Sequence, residues 1–229
     1  QAIFVGSGAG LPSSLGIPGE NYNGVYFANE FLTRVNLMRS NVFPNSATPI
    51  KTGNKVAVIG GGNVAMDAAR TAKRIGAKEV MIIYRRDQTS LPARLEEIHH
   101  AIDEGIEMNL LYNPVEIFGE NYEVTSIKCE RMELGEKDSS GRRRPMPTGE
   151  YKTFDVDSVI VSIGQKPNPI LKQSTKDLNT HDWGGIITDQ THKTSIEGVF
   201  AGGDAVTGAA TVILAMGAGK DAAESMDEY

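Results

Sequence analysis

The sequence of 229 residues contains little cysteine and no long apolar run. Its one cysteine, Cys129, excludes an internal disulfide, a cysteine-rich zinc site, a four-cysteine iron–sulfur site and a CxxC redox pair. Such sparse cysteine is typical of the reducing cytoplasm, where we expect the protein to reside. No run approaches the roughly 20 apolar residues of a membrane helix, and no other pattern has metal-ligand spacing. We therefore expect neither a membrane partner nor a bound metal.

The sequence also lacks an excess of basic residues. Its formal net charge is -6, which argues against nucleic acid as a partner because phosphate backbones need a basic face. Hydrophobic residues make up 40% of the chain, enough for a buried core and too much for a disordered segment. The chain begins at Gln1 without an initiating methionine and continues directly into a strand-like run. We therefore interpret the chain as a piece of a longer protein.

The middle third of the chain alternates apolar runs with amphipathic segments, which predicts an α/β fold on a parallel sheet. Residues 60–65 have the GxGxxA spacing of a Rossmann dinucleotide site. They follow an apolar run at 55–59 and open a helical pattern at 63–75. Gly60 permits the tight turn, Gly62 lets a pyrophosphate approach the backbone, and Ala65 lets the helix pack closely on the strand.

The residues inside this motif are candidates for the same site. Asn63 and Val64 open the helix, and their free N–H groups at the positive end of the helix dipole can hold phosphates. The alternative is a structural glycine turn in another kind of α/β domain.

Two arginines favour NADP(H) over NAD(H). Arg85 and Arg86 follow the next strand-like run, at the place where an NAD site usually carries an acid for the ribose 2′-hydroxyl. Asp87 follows them, but guanidinium groups match a 2′-phosphate in geometry and charge. A solvated strand end is the alternative.

A second motif points to a second nucleotide. Residues 199–204, Val-Phe-Ala-Gly-Gly-Asp, resemble the C-terminal motif of flavoproteins built from two dinucleotide-binding domains. The resemblance implies that Asp204, after Gly203, bonds a ribityl hydroxyl of FAD, and that Gly164 ends a crossover strand. It also implies that a helix starting at 209 aims its N-terminus at the flavin through Ala210, Thr211 and Val212. A glycine turn capped by aspartate is the alternative.

These motifs together resemble the small (beta) subunit of NADPH-dependent glutamate synthase. The resemblance implies hydride transfer from NADPH to FAD, with electrons passing on to iron–sulfur clusters and a partner subunit. It predicts a Rossmann-like NADP(H)-binding domain at 50–165, inserted in an incomplete FAD-binding domain. The pieces of that domain would be residues 1–49 and 166–229, and we also expect a small antiparallel β-meander.

The chain departs from that family in one respect: the family's own FAD fingerprint and cysteine-rich cluster domain are missing from these 229 residues. We expect the chain to bind NADPH but to hold FAD poorly or not at all, because the FAD pyrophosphate would have no cradle. The glycine-rich residues 6–10 resemble a crossover and not a phosphate loop, since Pro12 and Gly16 interrupt any helix after them. A thioredoxin reductase is disfavoured because there is no CxxC.

Several alternatives stay open. They are a ferredoxin:NADP reductase, a sulfide dehydrogenase subunit, a dihydropyrimidine dehydrogenase module, and a non-catalytic module that senses NADPH. Glu97 is a candidate to face the nicotinamide, with a solvated helix face as the alternative. The polar hairpin tip predicted at 136–148 carries Arg142, Arg143 and Arg144, which have no assigned role.

Overall fold

The computed structural model describes residues 1–137 and 141–229. The strands are β1 (Ile3–Val5), β2 (Leu11–Pro12), β3 (Val25–Phe27), β4 (Lys55–Ile59), β5 (Glu79–Tyr84), β6 (Glu107–Leu110), β7 (Tyr112–Glu120), β8 (Glu123–Lys137), β9 (Arg143–Asp155), β10 (Ser158–Val161), β11 (Gln165–Lys166) and β12 (Val199–Ala201). The helices are α1 (Ala28–Asn36), α2 (Asn63–Arg74), α3 (Leu95–Asp103), α4 (Ile170–Ser174), α5 (Asp204–Thr207) and α6 (Val212–Glu228).

The chain divides into two compact units, one formed by Ser14–Ile163 and the other by Gln1–Ser13 with Gly164–Tyr229. The division into domains at 1–49, 50–165 and 166–229 stays a prediction. Strand β3 and helix α1 precede residue 50, yet they belong to the same unit as the glycine motif. Among the described residues, no helix is both long enough and apolar enough to cross a bilayer.

The unit of residues 14–163 is built on a five-stranded sheet with the order β3-β10-β4-β5-β6. All four neighbouring pairs are parallel. Strand β4 lies in the middle, and four of its five residues are buried, which explains its continuous apolar run. The α/β class predicted from the sequence is confirmed.

The two faces of this sheet are covered differently. Val58 and Ile82 pack with the alanine-rich side of α2 and with α1 and α3 on one face. Ala57 and Ile83, one residue away, pack with Ile127 and other meander residues on the opposite face. This alternation follows the two-residue period of a strand. The meander has the order β7-β8-β9 and is antiparallel, as predicted.

Two strands of this unit have no counterpart in the sequence prediction. Strand β3 is three residues long and pairs with β10 at the sheet edge. Strand β9 starts at Arg143, inside the segment predicted as a polar hairpin tip, and pairs with β8. Residues 138–140 of that tip lie outside the described residues.

The second unit contains two small pairs of strands. Strands β1 and β12 are parallel, while β2 and β11 are antiparallel. Its small core is formed by Leu178, Ile186, Ala201 and Ala205. The final helix α6 begins at Val212, three residues later than the predicted start at 209.

Candidate nucleotide-binding site

Gly60 connects the central strand β4 to α2 in a conformation that requires glycine. Its φ is +143°, and a Cβ there would lie 2.2 Å from the carbonyl oxygen of Ser162. Its N–H donates to the carbonyl of Ile83 at 3.0 Å. The turn is therefore held between the ends of β10 and β5, and the fold itself explains this glycine.

Gly61 is also explained by packing within the fold. A Cβ there would lie 2.7 Å from Leu91 Cδ2 and 2.9 Å from Tyr84 Cδ2. The GxGxxA spacing assigns no role to this residue, because the need for glycine here comes from side chains that are distant in the chain.

Gly62 differs from both neighbours. Its φ of -87° is open to any residue, and an added Cβ would meet nothing within 4 Å. Nothing in the fold demands glycine at this position. The open space lies at the N-terminus of α2, where a bound group could approach the backbone.

The first turn of α2 presents unsatisfied backbone donors. Gly62 is the N-cap and forms no side-chain cap, and helix geometry leaves the first N–H groups, including those of Asn63 and Val64, without intrahelical acceptors. Val64 is exposed, whereas Ala65 is fully buried, which agrees with close packing of the helix on the sheet. This arrangement suits an anion such as a pyrophosphate.

Asn63 has a further contact that the sequence did not indicate. Its Oδ1 accepts the backbone N–H of Arg94 at 2.9 Å. Beside it, the carbonyl of Gly61 accepts the N–H of Ala93 at 3.1 Å. The segment before α3 is thus fastened to the glycine turn.

Arg85 and Arg86 lie at the same edge of the sheet as the glycine turn, because β5 is parallel to β4 and next to it. Arg85 is exposed. Arg86 donates through Nε to the carbonyl of Arg143 at 3.0 Å, and its two Nη groups form no hydrogen bond or ion pair with residues 1–137 or 141–229.

Asp87 is occupied within its own turn. Its Oδ1 accepts from Ser90 N and from Thr89 Oγ1, both at 3.0 Å. These hydrogen bonds, to Ser90 first, lower the pKa of the carboxyl group. Asp87 therefore caps the following 3-10 turn, which leaves the two arginines as the candidates for contacting the ribose.

Glu97 has a structural partner in this unit. Its carboxylate pairs with Arg70 Nη1 at 2.8 Å, and Arg70 Nε also reaches Glu104 at 2.9 Å. Burial first and Glu97 second raise the pKa of the nearby Asp67, while Arg70 lowers it. This cluster joins α2 to α3.

The Gly-Gly-Asp motif lies in the other unit, after β12. Gly203 has a φ of +66°, and Asp204 Oδ1 accepts the N–H of Ala210 at 3.2 Å. Thr211 caps α6 by accepting the N–H of Leu214 at 3.3 Å. Val212, the first residue of that helix, is 75% exposed.

Comparison with known proteins gives this geometry a family. The family model described as pyridine nucleotide-disulphide oxidoreductase matches residues 1–219. The chain belongs to the pyridine nucleotide-disulphide oxidoreductase family.

Two relatives match the chain over its whole length. The NADP(+)-dependent formate dehydrogenase subunit beta of Moorella thermoacetica is 40% identical over 233 residues, which cover 100% of this chain and 32% of the relative. The glutamate synthase [NADPH] small chain of Halomonas elongata is 33% identical over 236 residues, covering 100% of this chain and 50% of the relative. The resemblance to glutamate synthase small subunits is confirmed. The chain spans about a third to a half of the length of these relatives.

A solved structure shows the same fold. The thioredoxin reductase of T. acidophilum has a TM-score of 0.75 and 24% identity, with 99% of this chain and 65% of that chain covered.

The disulphide chemistry in the family's description has no counterpart within these 229 residues, because Cys129 is their only cysteine. Cys129 is fully buried, and burial raises the pKa of its thiol to about 12. It is an inert core residue.

The family's two nucleotides fit the described residues unequally. The residues that would hold NADP(H) leave room for it, since an added Cβ at Gly62 would meet nothing within 4 Å and Arg85 is exposed after β5, the strand next to β4. For FAD, Asp204 keeps Oδ2 available, because the hydrogen bond to Ala210 uses Oδ1. The glycine-rich residues 6–10 lead into the short strand β2, not into a helix that could hold a pyrophosphate.

Gly164, the last of the predicted site residues, follows β10. Its φ is +104°, and its carbonyl accepts the N–H of Ser13 at 3.0 Å. It belongs to the same unit as the Gly-Gly-Asp motif.

Among residues 1–137 and 141–229, no group of three or more His, Cys, Asp or Glu side chains could hold a metal ion.

Proposed function

We propose that this chain is the NADP(H)-binding part of an NADPH-dependent flavoprotein oxidoreductase of the glutamate synthase small-chain type. The observation that carries the proposal is the glycine turn after β4, in which Gly62 is not required by the fold and leaves room at the start of α2. A pyrophosphate that needs close approach to the backbone explains that glycine.

The choice of NADP(H) rests on the end of β5. Arg85 is exposed, and neither Nη group of Arg86 is bonded within the described part of the chain, so two guanidinium groups can receive a 2′-phosphate. The names of the relatives agree, because two of them contain NADP(+) or NADPH.

The bound nucleotide supplies a hydride, and the residues of this chain bind and orient it. The N–H groups at the start of α2 hold the pyrophosphate, Ala65 sets the packing distance of the helix from the sheet, and Arg85 and Arg86 hold the 2′-phosphate. We propose FAD as the hydride acceptor in the whole protein, with Asp204 bonding its ribityl chain.

We further propose that electrons leave the whole protein through an iron–sulfur domain or a partner subunit. Support comes from the relatives, which are named as a beta subunit and a small chain. A cytoplasmic location belongs to the same proposal and is supported by the single, free cysteine.

Reduction of a dye acceptor by the full-length parent protein tests this function. We expect NADPH to support dye reduction much better than NADH, with bound flavin visible by absorbance. A non-catalytic NADPH-sensing module would bind NADPH and pass no electrons to the dye, and that result would overturn the proposed activity.

The 229-residue chain itself offers a second test. We expect the purified chain to show no flavin absorbance band, because its glycine-rich residues 6–10 are not followed by a helix. A stoichiometric flavin band would contradict that expectation.

A further inference from the structure

The segment between β5 and α3 starts and ends at the glycine turn. At its start, the Tyr84 ring lies against Gly61. At its end, Ala93 donates to the carbonyl of Gly61 at 3.1 Å, and Arg94 donates its backbone N–H to Asn63 Oδ1 at 2.9 Å. Arg94 is therefore fixed next to the first residue of α2.

This position is electrostatically unusual for an arginine. Arg94 is the N-cap of α3 and is hydrogen-bonded to the first residue of α2, so it lies at the positive ends of two helices. Cations are disfavoured at helix N-termini. An anion bound between the helix ends would attract both the guanidinium group and the two helix N-termini, and so would offset their mutual repulsion.

The described part of the chain provides no such anion for Arg94. Its side chain is exposed, and none of the ion pairs among residues 1–137 and 141–229 includes it. The first turn of α3 carries Glu96 and Glu97, but the carboxylate of Glu97 is bonded to Arg70. The guanidinium group of Arg94 is thus unpaired within the described residues, while the backbone of Arg94 is bonded to Asn63 at the glycine turn.

We propose that Arg94 is a third nucleotide-binding arginine, which contacts the pyrophosphate of NADP(H) at the start of α2. The inference rests on the proposed NADP(H) site and adds a residue to it. Guanidinium groups match phosphate oxygens with paired donors. Arg85 and Arg86 lie at the other end of the segment, where a 2′-phosphate is expected, so the two ends serve different phosphates.

The proposal predicts a difference in selectivity. The pyrophosphate is common to NADPH and NADH, so Arg94→Gln will weaken both by the same factor, about tenfold or more for a lost charge-assisted bond. Binding of 2′-AMP, which lacks the pyrophosphate, will not change. Arg94→Lys keeps the charge and will recover part of the affinity.

The experiment is a calorimetric titration of the 229-residue chain and its variants with NADPH, NADH and 2′-AMP. Lys176→Gln, which removes another exposed cation, is the matched control and will change none of the three affinities. The melting temperature will not fall in Arg94→Gln, because the Arg94 side chain forms no hydrogen bond or ion pair with the described residues.

Three results would overturn the inference. Unchanged affinities in Arg94→Gln, together with selective NADPH loss in Arg85→Ala, would remove Arg94 from the site and leave the proposed function intact. If Arg94→Gln lost affinity for NADPH and 2′-AMP but kept its affinity for NADH, Arg94 would contact the 2′-phosphate and not the pyrophosphate. If the unmodified chain bound none of the probes, the proposed function itself would fall.

Discussion

Replacing Gly62 by alanine separates what the fold needs from what the ligand needs. An alanine Cβ at this position would meet no atom within 4 Å, and the φ of -87° is open to alanine. The poorer N-cap is offset by lower entropy of the unfolded chain. We expect the free energy of unfolding to change by less than about 1 kcal/mol, or about 2–4 °C in melting temperature.

Binding will respond very differently in Gly62→Ala. The methyl group occupies the space through which a pyrophosphate reaches the first N–H groups of α2. Loss of one hydrogen bond to a charged group costs about 1.5–3 kcal/mol, which raises the dissociation constant roughly tenfold to 100-fold. NADPH and NADH will be affected alike, because both contain the pyrophosphate.

The matched control is Gly60→Ala, two residues earlier in the same glycine turn. There the added Cβ would lie 2.2 Å from the Ser162 carbonyl oxygen at a φ of +143°, so about 2 kcal/mol or more of stability will be lost. Thermal melts and calorimetric titrations of both variants check the pair of expectations. A Gly62→Ala protein that binds NADPH as tightly as the unmodified chain would show that no pyrophosphate approaches the backbone at residue 62.

Further predictions concern other parts of the chain. The double variant Arg85→Ala with Arg86→Ala will lose NADPH affinity at least about tenfold more than NADH affinity, and equal losses in a titration would exclude the 2′-phosphate assignment. Because burial raises the pKa of Cys129 to about 12, a thiol reagent at pH 8 will label the native chain far more slowly than the chain in guanidinium, and rapid native labelling would count against a buried thiol. Arg70→Met leaves Glu97 and Glu104 without their shared partner and will cost about 1–2 kcal/mol at pH 7. That cost will shrink as pH falls, since Arg70, after Arg74, lowers the pKa of the Glu104 carboxyl group, and the stabilisation from this lowered pKa is lost once the carboxylate is protonated. A loss independent of pH in denaturant melts would show that charge is not the cause.

The centre of the fold was predictable because its residues obey a local pattern. Strand β4 matches the predicted apolar run at both ends, and α2 begins at Asn63 as the glycine motif requires. A strand covered on both faces has to be apolar throughout, so its bounds are visible in the sequence.

The edges of the fold were not predictable in the same way. Strand β3 exists because β10 offers it a parallel partner, and three residues among turns carry no period of their own. Strand β9 is mostly exposed and contains two prolines and a glycine, a composition typical of a loop. Its pairing with β8 is a tertiary interaction that overrides local preference.

The start of the final helix differs for a local reason. Gly208 has a φ of +80° and ends the short helix α5, and the hydrogen bond from Ala210 to Asp204 holds the following turn. Thr211 then caps α6 from its side chain. The composition of residues 209–210 predicts helix, but the backbone N–H of Ala210 bonds to the side chain of Asp204 in the turn.

The residues of the nucleotide site also divide into those that a local sequence pattern predicts and those that only the tertiary structure brings to the site. Gly60, Gly62 and Ala65 were accessible from the sequence, because a spacing encodes their geometry. Arg94 was not, since its place beside Asn63 depends on how the whole segment after β5 folds back.

The central claim is that the glycine turn and the arginines after β5 form a site selective for NADP(H). Calorimetric titration of the 229-residue chain with NADP⁺ and NAD⁺, under identical salt and pH, tests it most directly. We expect one site per chain, with NADP⁺ bound at least about tenfold more tightly than NAD⁺. Equal affinity for the two nucleotides, or no binding of either, would contradict it.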